Sequence, residues 1–308
     1  FIVPDAGLNL VNFAALPEKK DAYLVETGPL LHYLSAERDL APAVWADRKP
    51  GTGLLALGGP DYDLAAASPG TAAAASGAPA AAAPAAGALR SSCGDFDSLR
   101  FEPLPAAERE ADEIAAVWSG APGPQGGVIR LSGAAATEAS FKRLAPGRRV
   151  LHLATHGFFL GGDCLAGPGT RGLSVVGSKR KPGVVMAGTS PLLLSGLALA
   201  GANHRARASA ADEDGVLTAE ELASLDLTGV EWSVLSACDT GVGEIRAGEG
   251  VFGLRRAMQV AGVRTLVMSL WPVDDEETRH WMTSLYRGRL AKGLDSAEAV
   301  RFASLGVL

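Results

Sequence analysis

A thiol and an imidazole set in matching contexts are the residues of this chain best suited to chemistry. His156 follows an apolar run at 150–154, and Cys238 follows another at 232–237. Small residues trail each of them, Gly157 after the histidine and Asp239-Thr240-Gly241 after the cysteine. A free thiol has a pKa of about 8.5, and the thiolate is the nucleophile. An imidazole within reach can take the thiol proton, or form an ion pair that lowers the thiol pKa. The same ring can later protonate a departing amine. The N–H groups of Gly157 and Cys238 are suited to binding the oxyanion of a tetrahedral intermediate. Together these residues describe acyl transfer from a peptide bond through a thioester.

Both side chains must be delivered by neighbouring elements, and the sequence supplies them. Apolar runs at 54–57, 128–131, 150–154, 232–237 and 265–270 read as strands. They are continuous rather than alternating, so both sheet faces should be covered, as in a parallel sheet. Helical patterns fall between them at 106–118, 137–144, 250–260 and 275–290. Thr218-Ala219-Glu220-Glu221 is a capping box opening a helix to about residue 225. The run 192–199 is apolar without a deciding period and fits strand or helix. This order predicts an α/β doubly wound, mostly parallel sheet with helices on both faces. Ligands of such sheets bind beyond the carboxyl ends of the strands, where His156 and Cys238 stand. If their strands are neighbours, about 4.8 Å separates them and the imidazole reaches the sulfur.

The first 50 residues read as a strand and hairpin region. Strands at 1–3 and 8–13 flank the turn Pro4-Asp5-Ala6-Gly7, and 23–33 reads as extended. Ser35 suits the cap of a short helix to about residue 44. Residues 65–90 are almost all Ala, Gly, Pro and Ser and read as a flexible insertion, leaving 106–308 as the α/β catalytic part.

The segments Leu151-His152-Leu153-Ala154-Thr155-His156-Gly157 and Leu235-Ser236-Ala237-Cys238-Asp239-Thr240-Gly241 resemble the two signature segments of the CHAT domain. That domain is a caspase-like cysteine peptidase of the same clan as caspases, metacaspases and separases. Ile2-Val3-Pro4-Asp5, Gly215-Val216-Leu217-Thr218-Ala219-Glu220-Glu221 and Ser269-Leu270-Trp271-Pro272-Val273-Asp274-Asp275 extend the resemblance over nearly the whole chain. It implies a caspase-like fold, a His156–Cys238 dyad and a protein or peptide substrate. It also implies tetratricopeptide repeats upstream, and a chain starting at Phe1 reads as the C-terminal part of a longer one. The caspase signature Gln-Ala-Cys-x-Gly is absent, and the histidine-to-cysteine spacing, from 156 to 238, exceeds the roughly 50 residues of caspases. A preference for Asp before the scissile bond is therefore not carried over.

The stretch 271–275 follows the strand after Cys238 and should flank the nucleophile. Trp271 suits a pocket wall, and Asp239, Asp274 or Asp275 could meet a basic substrate side chain. Asp275 equally suits the first turn of a helix. His152 lies inside a strand and reads as a core residue, while Cys93 and Cys164 fall in loops.

Other patterns fit poorly. Gly248-Glu249-Gly250-Val251-Phe252-Gly253 matches GxGxxG but does not follow a strand directly, so its glycines read as a tight loop rather than a dinucleotide site. Asp212-Glu213-Asp214-Gly215 resembles a calcium loop whose first ligand position would be Ala210, which cannot coordinate. The basic stretch 171–181 reads as a solvated loop that could serve as a self-cleavage site. With three cysteines and no CxxC pair, neither a zinc site nor a disulfide framework is expected. No cofactor or metal is implied.

A net charge of −6 argues against a broad nucleic-acid surface. No apolar run reaches the roughly 18 residues a membrane span needs. Free thiols suit a cytoplasmic setting. The competing reading is a catalytically silent interaction or regulatory module on the same fold.

Overall fold

The computed structural model describes residues 1–4, 8, 11–19, 21–41, 48–65, 99–123, 125–159, 192, 195–208, 213–236, 249–269 and 273–308. At its centre is a five-stranded sheet of β3 (Leu54–Pro60), β4 (Val128–Gly133), β5 (Val150–Ala154), β9 (Trp232–Ser236) and β10 (Thr265–Met268). The order is β10-β9-β5-β3-β4, and every pair is parallel. The β5 and β9 strands are neighbours, with Val150 opposite Trp232 and Ala154 opposite Ser236.

The continuous apolar character of these strands has a direct cause. Successive side chains point to opposite faces, and each face carries its own core. Leu55, Leu57, Leu151, Leu153 and Leu235 join one core. It is closed by α3 (Glu138–Leu144), α4 (Ala219–Ala223) and α5 (Glu249–Ala261). Leu54, Ala56, Val150, Trp232 and Val234 face the other. That side is covered by α2 (Pro105–Gly120), α6 (Asp275–Ala291) and α7 (Ser296–Leu305). Each fully buried leucine is worth about 2 kcal/mol, so the two cores clamp the sheet rigidly.

The approach of α2 to β3 needs glycine at one point. A Cβ on Gly58 would stand 2.2 Å from the Ala107 carbonyl oxygen and 2.7 Å from the Ala111 methyl.

A second, antiparallel sheet continues from β5. Its strands are β6 (Gly157–Phe159), β7 (Ser195–Ala198) and β8 (Val216–Thr218), in the order β6-β7-β8. Residues 195–198 of the undecided run 192–199 are thus strand. The capping box stands as expected, with the Thr218 hydroxyl accepting from the Glu221 N–H and Glu221 accepting from the Thr218 N–H. Gly250 and Gly253 lie within α5, not in a tight loop, and Gly248 falls outside the described residues.

The N-terminal hairpin is present but displaced from its expected position. It joins β1 (Pro17–Lys19) to β2 (Ala22–Tyr23). Ile2 instead makes a single parallel bridge with Tyr33, and Phe13–Ala15 is a 3₁₀ turn capped by the Asn12 side chain. The expected extended run 23–33 is broken by α1 (Leu24–Thr27), because the Glu26 carboxylate accepts from the Tyr23 N–H at 2.6 Å and closes the turn. Among the described residues after Ser35, the expected helix is represented by the 3₁₀ turn Glu37–Leu40, with the Asp39 carboxylate accepting from the N–H groups of Ser35 and Ala36, while residues 42–47 lie outside them.

All but residue 65 of the insertion expected at 65–90 lies outside the described residues. Among the described residues, no helix is long and apolar enough to cross a membrane.

Candidate active site at the end of strand β5

His156 sits where the chain leaves the parallel sheet for the antiparallel one. The residue before it stays tied to the first sheet, since the Thr155 N–H donates to the Ser236 carbonyl at 3.2 Å. His156 itself belongs to the second, its carbonyl accepting from the Ala198 N–H at 2.9 Å. Its own N–H donates to the Tyr62 hydroxyl oxygen. The side chain packs against the rings of Tyr62 and Phe101, at centroid distances of 5.3 and 5.7 Å, in a cluster of three mutually touching rings. His156 is only 5% exposed.

A carbonyl contact of the ring fixes its tautomer. Nε2 lies 2.8 Å from the Glu102 carbonyl oxygen. A carbonyl can only accept, so Nε2 carries the hydrogen, and Nδ1 of the neutral ring keeps its lone pair. Burial lowers the His156 pKa below its ordinary value. The Glu102 carbonyl bond and the Asp275 and Glu102 carboxylates oppose that shift. A ring kept neutral with its basic nitrogen defined is prepared to accept a proton.

Beneath the ring runs a directional hydrogen-bond chain. The Thr155 hydroxyl donates to the Ala198 carbonyl at 2.5 Å. The Tyr62 hydroxyl, 2.9 Å from Thr155 Oγ1, therefore donates to it while accepting from the His156 N–H. Burial pushes the Tyr62 pKa up to about 12, so it stays a phenol.

Gly157 opens β6, the edge strand of the small sheet, opposite Leu197. The His156–Ala198 pair is bonded, so by antiparallel alternation the Gly157–Leu197 pair is not. Its N–H points away from β7, toward the outer edge.

The four residues expected around a substrate pocket divide unevenly. Asp274 is the N-cap of α6, accepting from the N–H groups of Glu276 and Glu277 at 3.0 and 3.1 Å. Asp275 accepts from the Ala106 N–H at 3.2 Å, and burial raises its pKa. Asp239 and Trp271 lie outside the described residues, as do Cys238, Cys93, Cys164 and the basic stretch 171–181.

His152 is a core residue, fully buried and edge-on to Tyr286 at 5.4 Å. Its Nε2 stands 2.9 Å from Glu110 Oε1, but off the hydrogen-bonding direction, so the two touch without a formed bond. The described residues of the calcium-like segment serve the fold, and Asp212 lies outside them. Glu213 and Glu221 meet Lys142, and Asp214 accepts from the Val216 N–H.

Sequence reasoning missed Tyr62, Phe101 and Glu102. The first two are ordinary aromatics, and Glu102 meets the ring through its carbonyl, which any residue would provide. A cavity of about 550 Å³ lies elsewhere, between residues 12–33, β10, α6 and α7, and His156 does not line it.

A parallel α/β sheet with a buried histidine at one strand end is shared by several unrelated folds. The family model of the CHAT domain decides between them, matching residues 1–308. The chain belongs to the CHAT-domain family. It is thus a caspase-like, peptidase-related domain, and the resemblance read from its signature segments is borne out. The five-stranded parallel sheet flanked by helices, with its small hairpin, fits that fold. No curated protein matches the chain.

Proposed function

We propose that this CHAT domain is a cysteine endopeptidase with Cys238 as nucleophile and His156 as general base. One observation carries the reading. The β5 and β9 strands are paired with Ala154 opposite Ser236. His156 follows Ala154 by two residues, as Cys238 follows Ser236 by two.

In the proposed reaction, the Cys238 Sγ proton passes to His156 Nδ1, and the thiolate attacks the carbonyl carbon of a peptide bond in a protein partner. The N–H groups of Gly157 and Cys238 receive the oxyanion. The imidazolium returns the proton to the departing amine as the C–N bond breaks and a thioester remains. His156 then draws a proton from water, which hydrolyses the thioester and restores the thiol.

Asp274 and Asp275 already hold backbone N–H groups, so Asp239 and Trp271 are the proposed contributors to substrate selection. A cytoplasmic setting and tetratricopeptide repeats upstream complete the reading. The repeats would present the partner.

The test compares new protein N-termini in cells carrying wild type or Cys238→Ala. Cleavage products should appear with wild type alone. Iodoacetamide should also alkylate Cys238 faster than Cys93 or Cys164. Undiminished cleavage by Cys238→Ala would refute the assignment. A slowly alkylated Cys238 without any product would favour the silent regulatory module.

A further inference from the structure

We propose that Asp275 is a positioning residue for His156, acting through the start of α2. The proposal rests on His156 being the general base.

The α2 helix begins without a cap of its own. Leu104 at the N-cap has no polar side chain to offer, and Pro105 follows it. The first-turn N–H groups of a helix need acceptors, and Asp275 of α6 supplies one to Ala106. Just before the helix, Glu102 gives its carbonyl to His156 Nε2. At Phe101 the same segment is pinned by Asn203, which accepts from the Phe101 N–H at 2.9 Å and donates to its carbonyl at 3.0 Å. The stretch from 101 to 106 is thus tied at both ends, with the histidine contact between the ties. Releasing the Asp275 tie frees the Glu102 carbonyl to drift, and the ring it orients drifts too.

The carboxylate also acts by charge. Asp275 favours the protonated form of His156, as the Glu102 carboxylate does. Among the described residues, the phenol of Tyr62 also packs against the ring. Asp275 is in turn faced by Glu110 from α2 and by Asp274 and Glu276 on its own helix. A negative charge here steadies an imidazolium at the moment it forms.

Asp275→Asn keeps an acceptor oxygen and removes the charge, whereas Asp275→Ala removes both. The first measurement uses Cys238→Ala protein with ¹³C-labelled histidine, the His156 signal being the one missing from His156→Gln protein. Asp275→Asn should move the His156 titration midpoint to lower pH and leave Nε2–H exchange slow. Asp275→Ala should move the midpoint equally and speed that exchange. In protein retaining Cys238, Asp275→Ala should lower kcat about tenfold with KM little changed, and Asp275→Asn should fall between.

An unmoved midpoint in Asp275→Asn overturns the proposal, whatever the protein cleaves. So does a rise in KM with lost preference for basic residues, the signature of a pocket acid. A moved midpoint in a protein that cleaves nothing upholds the placement of Asp275 and counts against the peptidase reading alone.

Discussion

Replacing Tyr62 by Phe removes a single oxygen from beneath the candidate base and leaves everything else in place. The ring that flanks His156 and Phe101 remains. The hydroxyl accepts the His156 N–H and lies 2.9 Å from Thr155 Oγ1. Thr155 still has the Ala198 carbonyl after the change. His156, only 5% exposed, gives up the bond its N–H makes to that oxygen. Two buried hydrogen bonds go with the hydroxyl, each worth about 0.5–1.5 kcal/mol. The expected loss is therefore about 2 kcal/mol. In a chain of 308 residues that lowers Tm by roughly 4 °C. Urea unfolding should show an earlier midpoint with an unchanged slope, because the exposed surface is the same. The backbone that carries His156 also loosens, so iodoacetamide should react more slowly with Cys238 under native conditions. A stability loss below about 0.5 kcal/mol, with alkylation unchanged, would show that Tyr62 does not hold this strand end.

Two further outcomes follow from other charged groups. Glu138 is 2% exposed, and burial, with Glu213 and Glu221 nearby, raises its pKa although Lys142 opposes the shift. A folded pKa above the ordinary 4.5 means that the stability from this group is complete below that pH and declines as pH rises toward the folded value. Glu138→Gln should therefore flatten the fall of Tm between about pH 5 and pH 9. Parallel curves for the two proteins would remove the argument. The Lys142 pKa is raised as well, but its contribution is lost only above its ordinary 10.5, outside that window. At α6, Asp274→Ala should cost about 1 kcal/mol by urea titration, and Asp274→Asn, which keeps an acceptor, should recover most of it. No recovery would mean that the cap bonds to Glu276 and Glu277 are not what stabilises the helix.

The parallel sheet was legible because its strands are apolar on both faces, and two covered faces leave that pattern. The nomination of positions 156 and 238 needed β5 beside β9, and the observed order supplies it. The small sheet left no such mark. β6 and β8 have three residues each, too few for a period to register. The N-terminal hairpin was expected a few residues too early, because Glu26 and Asn12 close local turns that outweigh extended propensity. The α7 helix was overlooked although its capping box, Asp295 with Glu298, stands in the sequence. Around His156 the sequence marks a candidate base but not the groups that hold it. Tyr62, Phe101 and Glu102 arrive from distant segments, and only folding brings them to one ring.

The position of His156 between two sheets has a mechanical consequence. Its predecessor is fastened to β9 and its own carbonyl to β7, so the imidazole rides on a joint rather than on a slab. That joint is not loose, because Leu197 of β7 and Leu217 of β8 share one hydrophobic core with Leu151 and Leu153 of β5. Any tilt of the small sheet that swung the ring would have to repack that core, so the same leucines that build the fold also set the aim of the imidazole.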